Sequence, residues 1–458
     1  MAAVDPAYPT FIPATPPASN MKQHQALREA CTNPDNLFTL SERDLVSLIY
    51  QEFPNEIDRL RRAYSIRDPQ GTSPETPSPS RIIYEEDYDE VNRTLVGFLA
   101  LRWIHNAKYE VFVGSQPPEL RLTRESFDWI RDYYKRVITD ANTLYALITS
   151  IIINDLGKDP ELSLDHQKTT GEDISDLNHD YILLKACGSG LVPCLERHSA
   201  EEKYDLLLGI EIGAFFNFGQ LGQAENAPAA LTSLLRMEGR ERSFQLRFME
   251  QLLDIAGAAG HMDWTCAKKL NQPIFESYRN VFHACYSVIS GTLNARQGYD
   301  HVLIRRAEYI HRKGFRLLKV KNDQYERALM RLLCMGNVTT KKTAEMYESA
   351  LNSLQQATKD DLVYALNVDG SVDEPAIQPT YAPALLSLIK KQRELVAVFE
   401  YFSRVMSVKA QVDSSAILVE RSVLGVLKRH IESDKFRENP SILEDVDVPD
   451  DVIALTVQ

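Results

Sequence analysis

Residues 144–160, LYALITSIIINDLGKDP, leave the chain little freedom in how it folds around them. Apolar residues fall at Leu144, Leu147, Ile148, Ile151 and Ile152, the i, i+3, i+4, i+7, i+8 spacing of one helix face. The next position on that stripe is Asp155. A carboxylate on a core-facing stripe must find a hydrogen-bonding, cationic or metal partner, because burying it alone is costly enough to neutralise it. Gly157 and Pro160 end the helix, with Lys158 and Asp159 in the turn. The pattern predicts a polar centre at this helix end.

Two later helices repeat the arrangement. One begins near Asn178 and carries His179, Ile182, Leu183, Ala186 and Cys187 on one face. The next begins at Ser199 or Ala200 and carries Tyr204, Leu207, Leu208, Glu211, Ile212 and Phe215. His179 opens its stripe and Glu211 falls inside its own. Taken singly, each residue reads as a satisfied core group or a misread face. Together, Asp155, His179 and Glu211 predict one shared pocket in which burial tunes acid–base strength. Asn154 and Lys158 beside the first, and Asn217 beyond the third, are the expected substrate-binding groups. Gly213, Gly219 and Gly222 lower helix propensity there and suggest close packing or a site.

The rest of the chain reads as helices. Residues 1–20 form a proline-rich tail expected to be disordered. Ser41 and Asp44 make a capping pair for a helix over about 42–63, in an N-terminal helical segment spanning 21–66. Residues 67–82 are a Pro/Ser-rich linker, 83–435 the main all-helical domain, and 436–458 an acidic tail. Asp87 and Glu90 belong to an acidic run before the apolar stretch 95–104, suited to a helix's positive end or to catalysis. Thr123 caps an aromatic-rich helix to about Lys135. Further helices are expected near 226–237, 240–257, 272–290, 296–313, 322–335, 339–356, 380–408 and 413–433. No period-2 alternation and no strand–helix–strand rhythm is evident, so the class is all-α, one large multi-helix globular domain.

Charge restricts partners. The net charge is −13, so a polyanion would need a local basic patch. Residues 305–321, RRAEYIHRKGFRLLKVK, supply one with Arg305, Arg306, Arg312, Lys313, Arg316, Lys319 and Lys321. Tyr309, His311 and Phe315 are interleaved for stacking on bases. The plain alternative is a solvated helix face, with Arg306 turned inward. Six cysteines without a CxxC pair read as reduced thiols of a cytoplasmic protein. No apolar run is long enough to span a membrane. No Gly-x-Ser-x-Gly, phosphate-loop or dinucleotide motif occurs, and Ser189 in Cys187-Gly188-Ser189-Gly190 reads as a helix end and turn.

The NDLGK segment, Asn154 to Lys158, resembles the HDLGK segment of HD-domain metal phosphohydrolases and their diiron oxygenase relatives. Asn154 stands where that family has a metal-binding histidine. The resemblance implies a degenerate HD-like helical core, with a divalent metal as the alternative to no cofactor. His105, His166, His179 and His261 are the histidines available to it.

Size, helical character, the proline-rich N-terminus, the segment Ile151 to Leu162 and the segment Asp176 to Cys187 (DLNHDYILLKAC) together resemble the fungal arginine-containing cyclodipeptide synthases. The resemblance implies an enzyme that takes arginyl-tRNA and a second aminoacyl-tRNA and joins the amino acids into a diketopiperazine for secondary metabolism. That family carries an Asp-Asp-x-x-Glu motif. Its nearest form here is Glu86-Asp87-Tyr88-Asp89-Glu90, which carries the motif's role onto Asp87 and Glu90. On this reading Asp155 or Glu211 supplies the base or an arginine-binding fork, His179 shuttles protons, and the 305–321 patch holds the tRNA acceptor stem. A metal hydrolase or oxygenase and a non-catalytic helical interaction protein are the rival expectations.

Overall fold

Side-chain oxygens write the helix starts. Ser41, Thr123, Asp140, Asn178 and Ser199 each accept a backbone N–H from the first turn that follows. Ser199 and Glu202 complete a reciprocal capping box, as do Asn294 and Gln297. Each cap is worth about 1 kcal/mol. The computed structural model describes residues 25–64, 74–409, 414–450 and, as backbone, 453–456. The expected tail 1–20 and linker residues 67–73 lie outside the described residues.

The class is all-α with one small sheet. Several boundaries differ from the sequence reading, each for a physical reason. The helix expected over 42–63 is two, Glu42–Glu52 and Pro54–Arg62, because Pro54 restricts Phe53 to a non-helical backbone. Ser78 caps a helix, Pro79–Tyr84, inside the expected linker. The span near 226–237 is the 3-10 helix Pro228–Met237. A helix over Gln356–Asn367 was not anticipated. The long helix expected over 380–408 is Ala382–Leu386 and Gln392–Ser407. Residues 413–433 hold a strand before the helix Val423–Ile431. Part of the expected acidic tail docks on the Gln392–Ser407 helix, where the Tyr401 hydroxyl donates to the Asp447 carbonyl at 2.7 Å.

The Glu241–Gly257 helix is the hub. It packs against Asp89–His105, Arg124–Val137, Ala141–Ile153 and Ala200–Phe215. Phe244, Phe248, Met249, Leu252 and Leu253 fill that core and are essentially inaccessible. Glycine permits the tightest crossing, since a Cβ on Gly97 would sit 2.8 Å from the Leu253 carbonyl oxygen. The sheet has order β1 (Ala376–Thr380), β2 (Ala416–Ser422), β3 (Ile453–Thr456), with β1 and β2 parallel and β3 antiparallel to β2. Register pairs Gln378 with Glu420 and Thr380 with Ser422. Directly paired residues on adjacent strands share a face, so these four polar side chains project the same way. Among the described residues no single helix is long and apolar enough to cross a membrane.

Candidate functional site

A cavity of about 670 Å³ opens where the Asn154–Lys158 turn, the residues before the His179–Gly188 helix, the end of the Ala200–Phe215 helix, the last turn of the hub helix and the sheet edge meet. Asp176, Asp180, Glu225, Asp254 and Glu420 line it against Lys158 and Arg93, so the lining is acidic.

The floor is a network built around Lys158. The helix carrying the apolar stripe stops at Ile153, and the 3-10 turn Leu156–Lys158 follows. That turn swings the Lys158 ammonium over its own helix end. It donates to Glu90 Oε1 at 2.8 Å and pairs with Asp155 Oδ1 at 2.9 Å. Arg93, one turn along from Glu90, pairs with the other Glu90 oxygen at 3.3 Å. Burial opposes charge on Asp155, but the Lys158 ammonium, a hydrogen bond with Glu90 and the nearby His179 together outweigh it and hold that carboxyl well below the usual range. Burial and the neighbouring Asp155 carboxylate push Glu90 up to about 7. Burial and Asp155 likewise push Asp254 up to about 6. The floor thus holds one firmly ionised carboxylate and two that titrate near neutrality.

A second layer steadies it. Arg247 donates to Asn154 Oδ1 at 2.9 Å and to Glu250 Oε2 at 2.5 Å. Its guanidinium lies in the space left by Gly213, where a Cβ would meet Arg247 Cζ at 2.9 Å. The opposite wall is the sheet edge. The Thr380 hydroxyl donates to Glu420 at 3.4 Å, and the Gln378 amide donates to Gln220 at 2.9 Å. Glu225 accepts the backbone N–H of Tyr381, which adopts a left-handed conformation with φ 66°.

The structure sorts the residues expected from sequence. Asp155, Lys158 and Glu90 meet directly beneath the cavity, where Lys158 alone of the three reaches its lining, and His179 lines it from the rim. A Cβ on Gly157 would overlap the His179 carbonyl, so the two turns are in direct contact. Asn154 contacts Arg247, and Asn217 lines the cavity while capping the Phe218–Gly222 helix. Glu211 does not join them. The Ala200–Phe215 helix is apolar almost all round, and the face it buries runs through Asp205, Leu208, Gly209, Ile212 and Gly213. Glu211 lies on the other side, paired with Arg236. Glu211→Ala is therefore expected to lower stability by less than about 1 kcal/mol. Chemical denaturation checks it. Asp87 also stays out of the cavity lining, held by Arg81 at 2.7 Å and by the Ser78 hydroxyl at 2.5 Å.

The basic segment keeps Arg305, Arg312, Lys313, Lys319 and Lys321 exposed. Arg316 is compensated by Glu326 at 2.5 Å and Glu348 at 2.7 Å, and Arg305 pairs with Glu308 at 3.1 Å. Arg306 is half-buried and donates to the Val338 carbonyl at 3.2 Å. Phe315 is buried, so it offers no face to a base. Ser189 hydrogen-bonds His166 Nδ1 at 3.0 Å, with Glu172 3.4 Å from the other ring nitrogen. The hydroxyl donates to the carbonyls of Lys185 and Ala186, closing a helix end away from the cavity lining.

Sequence reasoning missed Arg247, Glu250, Gln251 and Asp254, although their i, i+3, i+4, i+7 spacing draws a polar stripe along an apolar helix. It also missed Glu225 and Glu420. Among the described residues no group of three or more His, Cys, Asp or Glu side chains is arranged to hold a metal ion. The space between Glu90 and Asp155 already holds the Lys158 ammonium, which does not fit an HD-like centre there. The profile of a family of unknown function, DUF6829, matches residues 46–443. No curated protein and no solved structure matches.

Proposed function

We propose that this chain, which belongs to the DUF6829 family, is an aminoacyl transferase that joins arginine from arginyl-tRNA to a second tRNA-borne amino acid and closes them into a cyclic dipeptide. The observation that carries the reading is a cavity of about 670 Å³ whose floor holds Asp254, pushed up to about 6, beside ionised Asp155 and Lys158. A carboxylate titrating near neutrality suits a general base for an amine. The resemblance to the arginine-containing cyclodipeptide synthases supplies the substrates.

The chemistry balances without ATP. Asp254 takes a proton from the α-ammonium of one aminoacyl ester. The free amine attacks the ester carbonyl of the other, and the Lys158 ammonium faces the developing oxyanion. The ester C–O bond breaks as His179 takes the second proton from the attacking nitrogen and passes it to the departing ribose oxygen, while Asp254 releases the first to solvent. The remaining amine then attacks the second ester in the same way. Two ester bonds break, two amide bonds form, and two uncharged tRNAs leave. The exposed cations of residues 305–321 offer a surface for the acceptor stem, with binding that weakens as salt rises.

The test is purified protein with arginyl-tRNA and a mixture of other charged tRNAs, read by mass spectrometry. The expected product is an arginine-containing diketopiperazine that disappears when the tRNAs are digested with ribonuclease first. A product that survives that digestion overturns the proposal.

A further inference from the structure

We infer that Glu225 and Glu420, backed by the amide oxygen of Gln378, form a subsite for a planar cation, the guanidinium of the substrate's arginine. The inference rests on the proposed function for the identity of the substrate, and on the wall of the cavity for the chemistry.

Many of the buried acids in this protein are met by cations. Asp159 has Arg59 at 3.0 Å and Arg62 at 2.8 Å, Glu250 has Arg247 at 2.5 Å, and Asp300 has Arg327 at 2.7 Å. Glu225 and Glu420 have only neutral donors. Glu225 accepts from the Tyr381 backbone, and Glu420 accepts from Thr380 at 3.4 Å and from the Gln378 amide at 3.5 Å. Among the described residues no cationic side chain lies within ion-pair distance of either. Both line the cavity.

A second observation is independent of their charge. Gln378 is fully buried, with its amide hydrogens directed at Gln220 and Glu420, both cavity-lining residues. Its amide oxygen has no hydrogen-bond partner. Buried acceptors are paired in folded proteins, so an orphan one contact behind two cavity-lining side chains marks a missing donor. Parallel register holds Gln378 and Glu420 side by side on one face. Two carboxylates and an amide oxygen are acceptors only. A guanidinium brings five N–H donors in a flat fork and no acceptor. An ammonium has three donors and no plane, and matches less of this surface. Tyr381, bulky yet left-handed, delivers the N–H that fixes Glu225, which is the kind of strained backbone found at binding sites.

Burial pushes Glu225 up to about 8 and Glu420 up to about 7, so with no ligand both carry protons for much of the time near neutral pH. A bound cation favours the carboxylates and expels those protons into solvent.

The experiment is calorimetry on the full chain, without tRNA, using arginine amide, lysine amide and citrulline amide at up to millimolar concentration. Citrulline keeps the shape and loses the charge. Arginine amide is expected to bind with proton release, seen as a heat that depends on the buffer's ionisation enthalpy. Citrulline amide is expected to bind at least about 10-fold more weakly, and Glu225→Gln or Glu420→Gln to weaken arginine amide by about 10-fold or more. Equal affinity for the arginine and citrulline amides overturns the inference, and so does absence of arginine amide binding. That comparison needs no variant to fold. Arginine binding that depends on Glu225 and Glu420, with no dipeptide formed from charged tRNAs, keeps the subsite and removes the transferase reading. Dipeptide formation with arginine selectivity unchanged in folded Glu420→Gln and Glu225→Gln does the reverse.

Discussion

Gly157→Ala is expected to destabilise the protein by about 3 kcal/mol, the upper part of the range for forced overpacking. The position is not a matter of backbone freedom. A Cβ there would overlap the carbonyl oxygen of His179 and sit 3.0 Å from its Cα. Both partners are backbone, and both are tied. Gly157 lies in the turn that aims Lys158, and His179 is the first residue of a helix whose N-cap, Asn178, is already engaged. Relief requires the turn and the helix to separate, which pulls His179 from the floor. Chemical denaturation midpoints check the cost. Gly188→Ala is the control, because a Cβ there meets nothing within 4 Å. It should be neutral or slightly stabilising, since alanine favours helix. Equal losses for the two variants would sink the argument.

Lys158→Met is expected to cost about 3–5 kcal/mol near pH 8, because it leaves buried carboxylates without their ammonium. The side chain is 12% exposed between a Glu90 with none of its side chain exposed and an Asp155 at 9%. Methionine fills the volume, so the loss is electrostatic. Its pH dependence follows from the directions of the shifts. In the parent protein, Lys158 holds Asp155 below its ordinary value, and the stability this provides is present above that value and lost on acidification. Glu90 is raised from 4.5 to about 7, so its contribution is full below 4.5 and fades as pH rises through 7. Without the ammonium, Asp155 joins Glu90 in the raised class. The gap between variant and parent should therefore be small near pH 4.5 and widen towards pH 8. Melting temperatures over that interval test it, and a gap that stays constant with pH would refute it.

Local signals carried the helical class, most helix starts and the polar turn at Asp155, because caps and apolar stripes are short-range physics. They also brought Asp155, Lys158 and His179 together, and Glu90 through the acidic run. Glu211 went wrong because a helix apolar on nearly every side gives no unique inward face. Gly209 and Gly213, which admit Arg247, decide that face instead. The Arg247 to Asp254 stripe is readable by the same spacing rule within the helix expected near 240–257. The sheet wall was not readable locally. A strand such as AILVERS fits helix and strand periods alike, and its parallel partner lies two helices away in the chain.

That wall has a consequence for how the protein comes into being. The floor is drawn from residues 90–254, whereas the wall with Thr380 and Glu420 forms only once β2 has paired with β1 across the intervening Ala382–Leu386 and Gln392–Ser407 helices. On the ribosome the nascent polypeptide would assemble the acids of the floor before the wall that faces them. A molecule touching both sides of the cavity would be enclosed only once β2 has emerged and paired with β1.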